Sequence, residues 1–286
     1  MAGYGPAMEQ PRTYLSGVPC WIDIEPIDAD DAQNFYGGLF GWTFSNAMPA
    51  GLPGYYFIAQ HDGHDVGGMA PREAGSTGAW NTYIAVDDPD ETVRFVEEAG
   101  GTVSSPPQDA GPAGRWAEIV DPTGGRVRLW KAGRRLGSQV VNLPGAWNFS
   151  DLHTADPPAA RAFYDPLFGW EADELGGGSA LWRRPGYGRH LASTVDPDII
   201  ERQRGVSAPP GFEDAIAWLA PSSDGEPTHW HVTFAVADRD DAVSTAERLG
   251  AQIVSGPTDT EWTKSAVVAD RQGATLTLSQ FIGAAD

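Results

Sequence analysis

The residues with the most evident chemistry in this 286-residue chain are among its six histidines. His229-x-His231 on a strand would set two imidazoles on one face about 7 Å apart at Cα, a spacing that zinc and iron sites use. His153 or Asp151 could complete such a group, so that His229, His231 and His153 form one metal-ligating alternative. The same side chains suit hydrogen bonding to a ligand, or a general base at His231 oriented by Asp151 or His153. No G-x-S-x-G, H-E-x-x-H or Walker A pattern is present, and Gly176-Gly177-Gly178 lacks the strand and helix context of a phosphate loop, so it reads as a hairpin turn. The single cysteine, Cys20, excludes an intramolecular disulfide and a Cys-rich zinc site, and beside an apolar strand it reads as packing. Eleven tryptophans supply aromatic surface, which favours flat, conjugated ligands because stacking adds about 0.5–1.5 kcal/mol per ring pair.

Composition narrows the partners. With 19 basic and 39 acidic residues the net charge is -20, which repels phosphate backbones and anionic lipid, so neither nucleic acid nor a membrane is expected as a partner. No apolar run approaches the roughly 18 residues of a membrane span. Residues 1–17 carry one arginine and no apolar core of a signal peptide, so they read as a flexible leader of a cytoplasmic protein, in agreement with the cysteine count. The length suits two domains, each with its own core.

The elements that must position these residues come in two copies. Asp28 to Trp42, ending FYGGLFGW, recurs as Asp156 to Trp170, ending FYDPLFGW, at an offset of 128. Trp80 to Val86 recurs as Trp230 to Val236 at an offset of 150, and the turn Val120 to Gly125 recurs as Ala269 to Ala274. The second copy has therefore gained about twenty residues between its first two blocks. Asp28 and Asp156 are N-cap candidates before helices with apolar residues at i, i+3, i+4 and i+7. Asp88-Pro89 to Gly100-Gly101, and Asp238 or Asp240 to Gly250, bound a second helix per copy. Alternating stretches predict strands at Cys20–Glu25, Tyr55–Gln60, Val66–Met69, Asn81–Val86, Trp116–Val120 and Arg126–Trp130. The order is strand, helix, strands, twice per copy. A longer connection in the second copy, roughly Val195–Pro227, contains Trp218 and reads as a lid with a short helix at Pro210–Leu219.

A strand, an Asp-capped helix ending FY..LFGW, hairpins, a second strand and helix, then D..G before a last strand resembles the vicinal oxygen chelate family, which includes glyoxalases, bleomycin-resistance proteins and dioxygenases. The resemblance covers residues 18–130 and 147–281, and implies an α+β fold of four βαβββ modules paired into two curved mixed sheets, with helices outside and a concave cleft in each. Domains are expected at 18–130 and 147–286, joined by a linker at 131–146. Strand parity then sends Ile22, Ile24, Ile84, Val127 and Leu129 to the first core and Trp21, Asp23, Glu25, Asn81, Tyr83, Arg126, Arg128 and Trp130 to the first cleft, with Trp116 and Trp182 as additions. In the second copy it sends Phe149, Asp151, His153, His229, His231, Thr233 and Thr277 to the cleft.

Metal-using members of the family take ligands from positions that correspond to Trp21, Asn81 and Arg128, with Gly67 near a fourth, and to Phe149, His231 and Thr277, with Ala192 near a fourth. Tryptophan, phenylalanine and arginine do not ligate a divalent cation, so the expectation is a chain with neither metal nor other cofactor. The resemblance then implies one of two activities. The first is sequestration of a small aromatic ligand, such as an anthracycline-type polyketide, in self-resistance or in assistance to a biosynthetic oxygenase, with Arg128 pairing an acid and Asp23 or Glu25 an amine. The second is a lyase, isomerase or oxygenase working around His231. A homodimer or a partner biosynthetic enzyme are the protein contacts it allows.

Overall fold

A computed structural model describes residues 10–49, 51, 53–72, 78–204 and 210–283. The first copy runs β1 (Pro19–Ile24), α1 (Ala29–Phe40), β2 (Thr43–Asn46), β3 (Phe57–His61), β4 (His64–Met69), β5 (Trp80–Ala85), α2 (Pro89–Glu98), β6 (Thr102–Asp109), β7 (Gly114–Val120) and β8 (Arg126–Ala132). The second runs β9 (Trp147–Thr154), α3 (Pro157–Phe168), β10 (Glu171–Gly176), β11 (Ser179–Arg183), α4 (Tyr187–Ser193), α5 (Ile199–Arg204), β12 (Ala215–Pro221), β13 (His229–Ala235), α6 (Arg239–Arg248), β14 (Gln252–Asp259), β15 (Thr263–Ala269) and β16 (Thr275–Phe281). Each copy forms one curved eight-stranded mixed sheet, ordered β2-β3-β4-β1-β5-β8-β7-β6 and β10-β11-β12-β9-β13-β16-β15-β14.

The capping signals act as expected. The Asp28 carboxylate accepts from the amides of Asp30 and Asp31, Asp88 and Asp238 do the same for α2 and α6, and Asp156 accepts from Ala159. Gly41 and Gly169 close α1 and α3 in the left-handed region, at φ 72° and 66°. Two strands escape the pattern, β2 and β6, and they are the two edges of the first sheet. Pro106 and Pro107 cannot donate to a ladder, and β6 tolerates them because it pairs on one side only, with its register broken between Val103 and Ser105 and between Ser105 and Gln108.

The two halves do not have separate cores. Helix α1 packs against α6 and its own β2, and α3 against α2 and its own β10 and β12, while the apolar faces of both reach side chains of the opposite sheet, so each apolar cluster draws on both copies. Phe40 lies 4.8 Å from Phe234 between ring centroids. The repeated motifs interlock here: the Tyr36 hydroxyl donates to Asp270 Oδ2 at 2.8 Å, and the Tyr164 hydroxyl to Asp121 Oδ2 at 2.9 Å. The other oxygen of each aspartate holds its own turn through amides of Thr123 and Gly125, or Gln272 and Ala274. Trp42 and Trp170 donate to the Gly145 and Gly17 carbonyls at 2.7 and 2.6 Å.

Three further expectations are corrected. Residues 1–9 of the expected leader lie outside the described residues, but residues 10–17 are docked. Arg12 N donates to Gln139 Oε1 at 2.9 Å, the Tyr14 hydroxyl to the Ser138 carbonyl at 2.6 Å, and Thr13 Oγ1 bonds His190 Nε2 at 3.1 Å. The helix expected at Pro210–Leu219 is a single turn at Phe212–Asp214 followed by β12, so Trp218 stands on a strand. The insertion lies wholly before β12 and carries α4 and α5, whose Tyr187, Leu191 and Ile199 are packed into the core. Consequently Ala192 sits on α4, and the counterpart of Gly67 is Ala217: β1 pairs Asp23 with Gly68, and β9 pairs Asp151 with Trp218.

Candidate functional site

Parity puts the expected side chains on the concave side of both sheets, but the two clefts differ in what is left free. In the first, β1 is buried on both faces, with Trp21, Asp23 and Glu25 8%, 0% and 4% exposed. Arg128 from β8 reaches across β5 and donates to Asp23 Oδ1 at 3.1 Å, Glu118 Oε2 at 3.1 Å, Glu25 Oε1 and the Tyr83 hydroxyl. Asp23 also accepts from Tyr83, Tyr56 and Asn81 at 2.5, 3.0 and 2.9 Å, and Trp21 donates its indole N–H to the Tyr56 hydroxyl at 2.8 Å. The guanidinium carbon lies 5.5 and 5.4 Å from the Tyr83 and Trp116 ring centroids. Arg128 therefore does not stand ready for a ligand acid, nor Asp23 or Glu25 for a ligand amine, because each is engaged by partners within the protein.

Tyr56 and Glu118, which complete this cage, were not singled out in the sequence. Tyr56 precedes β3 in a loop, and it fits because Gly68 has no side chain: a Cβ there would collide with the hydroxyl. Trp130 borders the cage, edge-on to Tyr83 at 6.4 Å, its indole N–H on the Arg135 carbonyl at 3.0 Å. Trp182 is not in this cleft. It is fully buried beneath Trp170 and Tyr164 in the shared core, donating to Asp165 at 2.8 Å.

The second cleft keeps unspent groups. Antiparallel pairing of β9 and β13 sets His231 opposite Asp151, His229 opposite His153 and Thr233 opposite Phe149. At one end Phe149, Trp218 and Phe212 form a half-buried aromatic wall, with Phe149 5.9 Å from Trp218 and 6.4 Å from Phe212 between centroids. In the middle His231 Nε2 shares a 2.8 Å hydrogen bond with Thr277 Oγ1, and Thr233 donates to Asp151 Oδ2 at 3.3 Å. Asp151 Oδ1 is shut from solvent without a hydrogen-bond partner.

Burial pushes the Asp151 carboxyl up to about 7, only partly offset by the Thr233 bond. Burial, with the fields of His153 and His229, pulls His231 down to about 3. The floor is thus an acid that is about half protonated at neutral pH beside a neutral imidazole. His231 fits poorly as a general base: its ring has no hydrogen bond to Asp151 or His153, and so low a pKa makes a weak proton acceptor.

At the other end His153 and His229 stack at 5.0 Å with planes 21° apart, joined by Glu226, a residue of the loop before β13 that sequence patterning missed. His231 is not in this group, its ring lying 5.7 and 6.2 Å from those of His153 and His229.

A double eight-stranded module of this type, with polar concave faces, defines a class, and comparison with known proteins agrees. A model of the Glyoxalase/Bleomycin resistance protein/Dioxygenase superfamily matches residues 22–129, and one of a glyoxalase-like domain matches residues 149–279. CFP32 of Mycobacterium tuberculosis, which carries a provisional glyoxylase name, is 34% identical over 272 residues, spanning 93% of this chain and 96% of that one. Anthracycline biosynthesis protein DnrV of Streptomyces peucetius is 30% identical over 278 residues, 91% of this chain and 92% of that one. The Mn(II)-bound glyoxalase from Novosphingobium aromaticivorans superposes with a TM-score of 0.59 at 16% identity, covering 94% of this chain and 84% of that one. The chain belongs to the glyoxalase/bleomycin resistance protein/dioxygenase superfamily.

The metal that many such proteins use does not fit at the corresponding positions here. In the first cleft they are Trp21, Asn81 and the caged Arg128. In the second, Phe149 offers no donor atom and His231 Nε2 is engaged with Thr277.

Proposed function

We propose that the chain is a small-molecule binding protein that takes a planar aromatic metabolite of the polyketide type into its second cleft, with no ion at the family's metal positions. It serves sequestration, as in self-resistance, or assistance to a biosynthetic oxygenase. The observation that carries this reading is the Phe149–Trp218–Phe212 wall beside the Asp151–His231–Thr277 floor, in a molecule whose other cleft is filled by its own charges. Rings stack on the wall, while the half-buried Thr277 hydroxyl suits phenol or quinone oxygens. The name of DnrV, a protein of anthracycline biosynthesis, supports the ligand class.

The test is quenching of tryptophan fluorescence by a panel of polycyclic quinones and phenols, in EDTA. Dissociation constants on the order of 1–10 μM are expected. Trp218→Phe should remove much of the quenching, and Phe149→Ala should weaken binding about tenfold, the equivalent of about 1.4 kcal/mol. Failure of every polycyclic compound to quench at roughly 50 μM, or full quenching in Trp218→Phe, rejects the proposal.

A further inference from the structure

We infer that the outer end of the second cleft is a divalent-cation site built from His153, His229 and Glu226, a departure from the metal-free chain expected from the sequence. One ligand atom from each residue lies within 4.8 Å of the other two, and Glu226 Oε1 is 3.7 Å from His229 Nε2. Ligands bound tetrahedrally at about 2.1 Å stand about 3.4 Å apart, so side-chain shifts of an ångström or less close the set.

The ligand atoms are also oriented by their neighbours. His229 Nδ1 is 3.0 Å from the Pro227 carbonyl, which can only accept, so Nδ1 carries the proton and Nε2 turns a lone pair towards Glu226. Glu226 is held by the Ser223 amide on Oε2 at 2.9 Å, which leaves Oε1 facing the histidines. No hydrogen bond engages the His153 ring among the described residues. A lone pair and a carboxylate 3.7 Å apart repel unless a proton or a cation lies between them.

Two imidazoles and one carboxylate suit zinc, manganese, iron(II) or cobalt(II), and three protein ligands leave positions for water or a ligand oxygen. The cluster is half-exposed, so an ion can exchange with solution. It does not coincide with the family's positions: His153 lies four residues along β9 from Phe149, and His229 two residues before His231 on β13.

The experiment is calorimetric titration of the full, EDTA-stripped chain with zinc alone, paralleled by the visible spectrum of the cobalt(II) form. One zinc per chain is expected, with a dissociation constant of about 10 μM or tighter. Glu226→Gln and His229→Gln should each weaken it about tenfold or more and change the cobalt spectrum, whereas His64→Gln, an exposed histidine elsewhere, should not. Because Glu226 lies on a surface loop, its variant reports even where a histidine variant fails to fold. Absence of zinc binding at about 100 μM, or binding indifferent to Glu226→Gln, overturns the inference, and so does a cluster that only takes up a proton. No aromatic ligand is present in this titration and no metal in the fluorescence assay, so either proposal can fail alone.

Discussion

Replacing Arg128 by methionine should unmake the first half of the molecule far more than loss of a surface arginine would. Its guanidinium is 7% exposed and touches three carboxylates, those of Asp23, Glu25 and Glu118, which are 0%, 6% and 13% exposed. Methionine keeps most of the length and apolar volume, so the packing change is small and the electrostatic one large. Removing one partner of a buried ion pair costs about 3–5 kcal/mol, because the charge left behind has lost its water and its counter-ion. Asp23 and Glu25 lose their cation while Glu118 keeps Arg126 at 2.8 Å, so a loss within that range is expected, against a total stability of about 5–15 kcal/mol for a folded protein. Against the opposing effect of burial, the Ser104 hydroxyl and Arg128 hold the Glu118 carboxyl below its usual range, so the deficit should shrink on acidification. Urea unfolding of both proteins at pH 7 and pH 4.5 reads this directly. A loss under about 1 kcal/mol at pH 7, or a loss that does not shrink at pH 4.5, would refute the view of the first cleft as a closed ionic cage.

Two other perturbations test the remaining features. Asp151 has a folded pKa of about 7 against an ordinary 3.8, so its contribution is most favourable below about pH 4 and is lost as pH rises through 7, by at most about 4 kcal/mol. Asp151→Asn in EDTA should therefore gain stability relative to wild type between pH 4.5 and pH 8, and parallel unfolding curves for the two proteins would dismiss the buried acid. Tyr36→Phe and Tyr164→Phe each remove one hydroxyl donated to an aspartate of the other half. Each should cost about 1.5–3 kcal/mol in a single cooperative transition; two separate transitions in wild type would contradict the shared core.

Much of this was legible from alternation and caps. A period of two places Trp21, Asp23, Tyr83 and Arg128 on one concave face and Phe149, Asp151, His153, His229, His231 and Thr277 on the other, since the opposite face of each strand is apolar. Parity says where a side chain points, but not what else arrives there. Glu226 comes from a loop, which has no period, Tyr56 enters through the space left by Gly68 on another strand, and Glu118 acts through its match to a particular guanidinium. The first cleft therefore reads as open, and the histidine group receives Asp151 or His231 where the structure supplies Glu226. The insertion misled for a related reason. Its residues pack like core helices, and only the pairing of Trp218 with Asp151 shows where the sheet resumes. The interlocking was hidden because a repeat looks the same whether its copies fold separately or clasp one another.

That clasp has a consequence for how the two halves came to differ. A single copy assembling with itself would carry every substitution twice, once in each cleft. Any change that shut one would shut both. Once the copies share a chain, the crossed Tyr–Asp bonds hold an obligate partnership at fixed stoichiometry while the concave faces evolve independently. One face could then become a rigid strut, its charges spent on holding the sheet, and the other keep a carboxylic acid and the His153–His229 pair in reserve.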